Sequence, residues 1–182
     1  GCDSGFGYLF ATKFHSLGYI VVACVLEEDG VGANALKAYS SERLKVLKLD
    51  LNLEADISSC HQEVEKIVRS LDTELWALIN NGAVTNYIAS VELMPIEVYR
   101  RYIEANILGT LNLTRRCLPL LKKSKGRIIN ISSLTASMHL PNMSGYSACK
   151  SALNTISDCL RQELYDDGVK VCVIQPSGFV TG

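Results

Sequence analysis

The chain of 182 residues lacks a long hydrophobic run and an excess of charge of either sign. Its longest uninterrupted apolar stretch is Tyr19–Leu26, far shorter than the roughly 20 residues that a membrane-spanning helix needs. Lysine and arginine total 18 against 19 for aspartate and glutamate, which leaves a formal net charge of -1. This balance argues against the basic surface of a nucleic-acid-binding protein, so we expect no nucleic-acid partner.

The cysteines and histidines lack the spacing of a metal site or of a disulfide framework. The seven cysteines are scattered, their number is odd, and no two follow a C-x-x-C pattern. The three histidines, His15, His61 and His139, lie far apart in the sequence. Zinc needs clustered ligands, so we expect no metal. Several cysteines lie within apolar runs, which favours a reducing, intracellular compartment.

Short apolar runs alternate with amphipathic stretches along the whole chain. Most of the runs are apolar on both faces and rich in valine and isoleucine, which is typical of buried parallel strands. The runs are Tyr19–Leu26, Leu44–Leu49, Leu75–Ile79, Arg127–Ile131 and Lys170–Ile174. Helices are predicted over residues 5–17, 54–71, from Pro95 past Gly109 towards Leu118, and 146–165. The alternation predicts one Rossmann-type domain over residues 1–182, an α/β doubly wound parallel sheet.

The two ends of the chain are unusual for such a domain. It opens on a glycine-rich turn with no strand before it, and it stops just after the run Lys170–Ile174. In a doubly wound sheet the first strand is central, so its absence would split the sheet between the runs Tyr19–Leu26 and Leu75–Ile79. We therefore expect a segment that is truncated at both ends.

The opening stretch GCDSGFG places Gly1, Gly5 and Gly7 directly before a predicted helix. Glycine tolerates positive φ and lets the backbone approach a ligand closely. A helix N-terminus beside it offers free N–H groups and the positive end of a dipole to a pyrophosphate. Ser4 could add a hydroxyl group or cap the helix. An ordinary loop is the alternative, which the helix and strand that follow make less favoured.

Three acids, Glu27, Glu28 and Asp29, follow the run Tyr19–Leu26. A dinucleotide site usually has an acid about 20 residues after its glycines, where it binds the ribose hydroxyls. The nearest downstream base is Lys37, so a 2′-phosphate would meet carboxylates without compensation. NAD is therefore favoured over NADP, although a solvated acidic loop would look the same.

The stretch SGYSACKSAL places Tyr146 and Lys150 four residues apart, on one face of a predicted helix. A tyrosine of reference pKa about 10 is a poor base at neutral pH, and a neighbouring cation lowers that pKa. The pattern predicts that Tyr146 is a base and that Lys150 lowers its pKa. A lone pair of this kind is more often found on a helix surface, so the rest of the chain must decide.

Six motifs in order resemble those of the short-chain dehydrogenase/reductase family. They are GCDSGFG for the cofactor loop, LDL, NNGA, EANILGT, NISS followed by YSACK, and QPSGFVT. The resemblance covers essentially the whole chain. Two motifs depart from the family pattern: its N-N-A-G reads N-N-G-A here, and a serine separates Pro176 from Gly178.

The resemblance implies a catalytic set of four residues. Tyr146 would be the general acid and base, and Ser133, thirteen residues before it, would hydrogen-bond the substrate oxygen. Lys150 would neighbour the phenol and contact the nicotinamide ribose. Asn106 would hold a water molecule that links Lys150 to solvent.

The resemblance also implies a cofactor site drawn from most of the motifs. In it, Asp50 would hold the adenine amino group and Thr181 the nicotinamide carboxamide. The implied cofactor-binding residues are Gly1, Ser4, Gly5, Phe6, Gly7, Asp50, Leu51, Asn80, Asn81, Gly82, Tyr146, Lys150, Pro176, Gly178 and Thr181.

Four longer stretches resemble most the branch of retinol, 17β- and 11β-hydroxysteroid and D-β-hydroxybutyrate dehydrogenases. They are GCDSGFG, LWALINN, LPLLKKSKGRIINISS and GVKVCVIQP. This implies an NAD-dependent oxidoreductase that acts on a hydrophobic alcohol or ketone, such as a retinoid or steroid. The loop after Ser133 is apolar, which agrees with a hydrophobic substrate, although apolar loop residues also serve packing. Its apolar members are Leu134, Met138, Leu140, Pro141 and Met143. The alternatives are a D-β-hydroxybutyrate dehydrogenase and a non-catalytic NAD-binding sensor or scaffold.

The resemblance has further implications that lie beyond these residues. It implies a homo-oligomer, a substrate lid after the last motif, and location in the endoplasmic reticulum or the mitochondrion. Membrane association would depend on segments outside this stretch.

Overall fold

A computed structural model describes residues 1–179 of the chain, so Thr181 lies outside the described residues. Its five strands are all parallel and form two sheets. The first sheet pairs β1 (Val21–Val25) with β2 (Leu44–Lys48), and the second has the order β3 (Ala77–Asn80), β4 (Arg127–Ile131), β5 (Lys170–Ile174). All five predicted strands are confirmed, with ends that differ by at most two residues.

Six α-helices flank the strands within residues 1–179. They are α1 (Gly5–Ser16), α2 (Val31–Lys37), α3 (Glu54–Ser70), α4 (Ile96–Ile103), α5 (Thr110–Ser124) and α6 (Ser144–Glu163). None of them is both long and apolar enough to cross a membrane. The sequence analysis missed α2, because a helix of seven residues that buries only Ala33 and Leu36 is too short to show a period.

The helix predicted from Pro95 towards Leu118 is only partly correct. Pro95 precedes the first turn instead of forming it, and a π-helical segment, Glu104–Gly109, separates α4 from α5. Such wide turns are often found at functional sites, and this one carries Asn106. Gly109 ends it where the chain passes close to β2, since a Cβ there would lie 2.1 Å from the carbonyl oxygen of Leu51.

Two clusters of buried side chains hold the layers together. One lies where α3 and α5 pack against each other, α3 against β2 and α5 against the second sheet, and it includes Ile57, Leu121 and Ile128. The other lies under α1 and α2 on the first sheet, around Val25 and Leu36. Each fully buried side chain of this size stabilises the fold by about 1.5–3 kcal/mol.

The predicted split of the sheet is present, because no strand pairing joins β1 to β3 in residues 1–179. At the carboxyl edge the glycine loop bridges the two halves. The N–H of Cys2 donates to the carbonyl oxygen of Cys24 at 2.8 Å, and Asn81 Nδ2 donates to the carbonyl oxygen of Gly1 at 2.8 Å. The loop therefore contacts both sheets.

Aromatic stacking bridges the amino edge of the same gap. The rings of Tyr19 and Trp76 stack with centroids 5.7 Å apart, and the Arg127 guanidinium lies 4.1 Å from the Trp76 ring centroid. Such cation–π contacts contribute about 0.5–2 kcal/mol. The two sheets are thus connected at both edges through side chains and loops.

Candidate active site

The glycine loop is so tight that side chains would not fit at two of its positions. A Cβ on Gly7 would lie 1.8 Å from the carbonyl oxygen of Gly1, and a Cβ on Gly1 would lie 2.7 Å from the Cα of Gly82. Gly5 begins α1 with a φ of 55°. The loop therefore presents bare backbone beside a helix N-terminus, which suits a pyrophosphate group.

Ser4 immediately precedes α1, but its hydroxyl group makes no capping bond. Only its carbonyl oxygen takes part, by accepting a hydrogen bond from the N–H of Tyr8 at 3.2 Å. Of the two possible roles of Ser4, side-chain capping of the helix is thus absent, and its side chain is exposed. The exposed hydroxyl group remains free to meet a ligand.

The last residue of β3, Asn80, and the two residues that follow it, Asn81 and Gly82, have different roles. Asn80 Nδ2 donates to Thr114 Oγ1 at 3.0 Å and to Asn130 Oδ1 at 2.8 Å, so its side chain belongs to a buried polar network. Asn80 Nδ2 is therefore engaged in the core, away from a cofactor. Asn81 and Gly82 support the glycine loop through their contacts with Gly1. The N-N-G-A order therefore still buttresses the cofactor loop.

Asp50 and Leu51 follow β2 at the same edge of the structure. Asp50 Oδ1 accepts hydrogen bonds from the N–H of Asn52 at 2.9 Å and from Asn52 Nδ2 at 2.8 Å, which fixes its carboxylate. The Leu51 side chain lies beside Gly82, where a Cβ would be 3.6 Å from Leu51 Cδ1. Leu51 thus lies close to the glycine loop, while the contact of Asp50 with a cofactor stays a prediction.

Asp3 is a residue of the site that the sequence analysis did not single out. Its carboxylate accepts hydrogen bonds from the N–H of Leu26 at 3.0 Å and from that of Glu27 at 3.3 Å. It shares a shallow pocket at the end of β1 with Glu27 and Gly30. A charged residue inside the glycine loop was the signal in the sequence that could have revealed it.

The acidic loop after β1 is less negative than the sequence suggested. Lys37 Nζ donates to the carbonyl oxygen of Glu28 at 2.7 Å and lies 3.8 Å from Asp29 Oδ1. The expectation of acids without compensation is therefore wrong for Asp29. It was wrong because Lys37 lies at the end of α2, the helix that the sequence analysis missed, and α2 returns it to this loop.

Tyr146 lies in the first turn of α6, and Ser133 directly precedes the 3₁₀ turn Leu134–Ala136 after β4. Burial raises the pKa of Tyr146, while a hydrogen bond with Ser133 lowers it. The net shift is upward, and a lowering of this pKa by Lys150 stays a prediction. The Ser133 hydroxyl group is itself held, because it accepts hydrogen bonds from Thr135 N at 3.1 Å and Thr135 Oγ1 at 3.0 Å.

Lys150 is 3% exposed and its ammonium group faces two neighbours. Nζ donates to the carbonyl oxygen of Ile131 at 2.7 Å and lies 5.6 Å from the ring centroid of Tyr146. Burial lowers the pKa of Lys150 to about 8, and the nearby Cys149 thiol opposes part of that shift. A charged lysine is thus held close to the phenol with one backbone partner.

Asn106 is 2% exposed and both ends of its amide are engaged. Oδ1 accepts from the N–H of Val84 at 2.7 Å, and Nδ2 donates to the carbonyl oxygen of Val84 at 3.0 Å. The structure therefore gives Asn106 a role in holding residue 84. Its link to Lys150 through water stays a prediction.

The loop after β5 closes the other side of the site. The carbonyl oxygen of Pro176 accepts a hydrogen bond from the N–H of Leu134 at 2.9 Å, next to Ser133. The ring of Phe179 packs edge-on against Phe6 at a centroid distance of 5.2 Å. A Cβ on Gly178 would meet nothing within 4 Å, so this glycine is not required by close packing.

These residues meet where the parallel strands end, which is where ligands bind in open α/β sheets. Within residues 1–179 there is no cluster of three histidine, cysteine, aspartate or glutamate residues placed to hold a metal ion. The fold and site thus define a Rossmann-type α/β protein with a serine, a tyrosine and a lysine at the carboxyl edge of its strands. The chain belongs to the short-chain dehydrogenase family, whose family model, described as short chain dehydrogenase, matches residues 1–182.

Curated relatives align along essentially the whole chain. Estradiol 17-beta-dehydrogenase 2 of Mus musculus is 42% identical over 181 residues, which cover 100% of this chain and 47% of the relative. 11-beta-Hydroxysteroid dehydrogenase type 2 of Oryctolagus cuniculus is 42% identical, with 100% and 44% covered. Mitochondrial D-beta-hydroxybutyrate dehydrogenase of Rattus norvegicus is 36% identical, with 99% and 53% covered. The chain spans about half the length of these relatives.

Solved structures show the same fold. A short-chain dehydrogenase from Streptomyces avermitilis has a TM-score of 0.88 at 26% identity, with 100% of this chain and 65% of that chain covered. A 3-ketoacyl-(acyl-carrier-protein) reductase from Brucella melitensis, complexed with NADH, has a TM-score of 0.88 at 25% identity, with 100% and 74% covered.

Proposed function

We propose that this protein transfers a hydride between a nicotinamide cofactor and a hydroxyl or ketone group, with Tyr146 as general acid and base. The observation that carries the proposal is the meeting of Tyr146, Ser133 and Lys150 at the carboxyl edge of β4. Their side chains come from two consecutive elements of the chain, the turn after β4 and the helix α6. The glycine loop lies at the same edge of the structure.

The residues at this edge fit a nicotinamide dinucleotide. Gly1 and Gly7 let the backbone of the loop pack more closely than a Cβ would allow, and α1 supplies the N-terminus for the pyrophosphate. The bound cofactor would accept or supply the hydride. Asp50 would meet the adenine, and Tyr146 and Lys150 would face the nicotinamide end.

The protein residues then manage the proton. Ser133 would orient the substrate oxygen, because its hydroxyl group is already fixed by Thr135 and lies close enough to Tyr146 to lower the pKa of the phenol. Tyr146 would take the hydroxyl proton during oxidation and return it during reduction. Lys150 would stabilise the phenolate by its charge, which matters here because burial alone raises the pKa of Tyr146.

NAD is the proposed cofactor, in preference to NADP. The carboxylates of Asp3 and Glu27 line the pocket at the end of β1, where the adenine ribose of such cofactors lies. A 2′-phosphate there would be repelled, at a cost of about 4 kcal/mol for unit charges 4 Å apart at an effective dielectric constant of 20. Lys37 balances the negative charge of Asp29, and its described contacts include neither Asp3 nor Glu27.

The proposed substrate is a hydrophobic alcohol or ketone such as a steroid or retinoid. The loop after Ser133 exposes Met138 and Leu140 at 57% and 49%, and Ile88 is exposed at 68%. The N–H of Ala89 donates to the carbonyl oxygen of Asn142 at 3.1 Å, which ties these two segments together. The steroid names of two relatives agree with an apolar substrate.

A second candidate substrate is D-β-hydroxybutyrate. The observation in its favour is the relative of that name from Rattus norvegicus, which aligns with 99% of this chain. A small, charged hydroxy acid fits the apolar loop less well than a steroid does, because its carboxylate would lose water without a cationic partner. D-β-Hydroxybutyrate is therefore one of the substrates that the experiment must include.

The test is turnover by the purified protein with NAD and a panel of retinol, estradiol, testosterone and D-β-hydroxybutyrate. Appearance of NADH with an apolar alcohol is the expected result, and turnover of hydroxybutyrate alone would establish the second candidate. Tight NADH binding without turnover of any alcohol would overturn the proposal and favour a sensor or scaffold.

Assembly and location are also proposals. The exposed apolar side chains of Ile96, Ile103 and Leu108 support a homo-oligomer formed through the α4 region. Static light scattering of the wild type and an Ile103→Asp variant tests the assembly.

An intracellular location is supported by the cysteines. None of the seven forms a disulfide within residues 1–179, as expected in a reducing compartment.

A further inference from the structure

Two tyrosines of α4 press against the residue that precedes Tyr146. A Cβ on Gly145 would lie 3.1 Å from Cδ2 of Tyr102 and 3.2 Å from Cδ1 of Tyr99, which is tighter than ordinary van der Waals contact. The absence of a side chain at Gly145 therefore lets the first turn of α6 lie directly on the two rings. Tyr99 and Tyr102 are three residues apart, so they share one face of their helix.

A hydrogen bond joins the same two helices one residue earlier. The Oη of Tyr99 lies 2.6 Å from the Oγ of Ser144, the first residue of α6. The residue before α6, Met143, provides no side-chain cap. The contact with Tyr99 therefore ties the first residue of this turn to α4 through a side-chain hydrogen bond. Tyr146 follows two residues later.

The ring of Tyr102 is itself fixed in place. Its Oη accepts from the N–H of Tyr87 at 2.8 Å and donates to the carbonyl oxygen of Tyr87 at 2.9 Å. Four residues further on, Asn106 holds both backbone groups of Val84 in the same way. The tyrosine that supports Gly145 thus also fastens the segment that leads away from Asn81 and Gly82.

We propose that Tyr99 and Tyr102 are positioning residues, which set the place of the Tyr146 phenol through Ser144 and Gly145. The inference rests on the proposed role of Tyr146 as the base. Catalysis depends on the placement of the reacting groups, and a displacement of 1 Å costs up to about a hundredfold in rate. A first turn that shifts on α4 would move Tyr146 away from Ser133 while it left the glycine loop unchanged.

The test uses two conservative changes that remove the same hydrogen bond from either side, Tyr99→Phe and Ser144→Ala. Each is expected to lower kcat about tenfold, with the KM for the alcohol and the Kd for NADH within about twofold. The ring of Tyr99→Phe still supports Gly145, so the variant is expected to fold. Tyr165→Phe, on a tyrosine that is 80% exposed, is the matched control and is expected to keep the wild-type kcat.

The double variant Tyr99→Phe with Ser144→Ala separates positioning from general damage. If the two groups act through one bond, the double variant has about the kcat of either single variant. Unchanged kcat in both single variants, or effects that multiply in the double variant, would overturn the inference. So would an equal weakening of NADH binding, because it would indicate a disturbed fold.

Failure of the proposed function has a different signature. If Tyr146→Phe keeps its turnover, Tyr146 is not the base and the proposed function falls, whatever the α4 variants do. If Tyr146→Phe is inactive while Tyr99→Phe and Ser144→Ala are unchanged, only the positioning inference falls.

Discussion

The ammonium nitrogen of Lys150 lies 2.7 Å from the carbonyl oxygen of Ile131, the last residue of β4. The side chain is 3% exposed, and this carbonyl group replaces only part of the water that the ammonium group loses. Burial therefore lowers the pKa of Lys150 to about 8. The strand that ends at Ile131 thus places a cation next to the phenol at a cost to the stability of the fold.

That cost predicts a pH dependence of stability. The pKa of Lys150 is about 8 in the folded protein and 10.5 as its ordinary value. Between these values the unfolded chain binds more protons, so the free energy of unfolding should rise with pH from about 8 to about 10.5. Compared with a Lys150→Met variant, the gain across this window should be about 3 kcal/mol.

Urea unfolding of the wild type and of Lys150→Met at pH values on both sides of the window measures this difference. Other groups that titrate at alkaline pH cancel in the comparison. A difference between the two proteins that stays constant with pH would show that Lys150 keeps its ordinary pKa.

Tyr146→Phe should lower kcat by at least about a hundredfold, because it removes only the oxygen that carries the proton. The Kd for NADH should stay within a few-fold of the wild type, since the ring remains. Stopped-flow turnover and NADH fluorescence titration provide the two numbers. A variant that keeps more than a tenth of the wild-type rate would contradict the role of Tyr146 as the base.

Asp3→Asn together with Glu27→Gln should weaken the preference for NADH over NADPH by about tenfold or more, because it removes two negative charges from the proposed ribose pocket. Asp29→Asn is the matched control, since that side chain is 99% exposed and faces Lys37. Fluorescence titration with each cofactor measures the preference. Equal binding of NADH and NADPH by the wild type would refute the electrostatic argument.

Gly109→Ala should destabilise the protein by about 2–3 kcal/mol, because the new Cβ would meet the carbonyl oxygen of Leu51. Gly178→Ala should change the free energy of unfolding by less than about 0.5 kcal/mol, since no atom lies within 4 Å of its Cβ position. Urea titration of the two variants gives the comparison. Similar stabilities would mean that the π-helical segment can move away from β2.

Asn130→Ala should cost about 3 kcal/mol of stability. Asn130 is 1% exposed, accepts from Asn80 Nδ2 at 2.8 Å and donates to Ser157 Oγ at 2.7 Å, so its loss leaves buried polar groups without partners. The exposed Asn86→Ala is the control and should be neutral within about 0.5 kcal/mol. Differential scanning calorimetry of both variants checks the difference, and equal melting temperatures would show that the network is not needed.

The strands and the Ser–Tyr–Lys set were predictable from the sequence because their signals are local. The run Arg127–Ile131 is apolar on both faces, and it forms β4 with the predicted bounds. The four-residue spacing of Tyr146 and Lys150 places both on one face of α6. In contrast, α2 was not predicted, because a helix of seven residues is too short to show the helical period of apolar residues.

The errors at the site concern contacts between residues that are distant in sequence. Lys37 approaches the acidic loop only because α2 turns back to it. The Asn80 side chain turns into the core because Thr114 and Asn130 offer partners there. Asp3 was overlooked because its partners, Leu26 and Glu27, lie 23 and 24 residues further along the chain.

By itself the sequence determined the alternation of strands and helices, the glycine loop and the choice of candidate reacting side chains, since each depends on neighbours within a few positions. Only the tertiary structure decided the charge state that each group prefers. Burial raises the pKa of Tyr146 and lowers that of Lys150, and burial depends on which strands and helices pack around a side chain. The contact of Tyr99 with Ser144 likewise exists only once α4 lies on α6, because 45 residues separate its two partners.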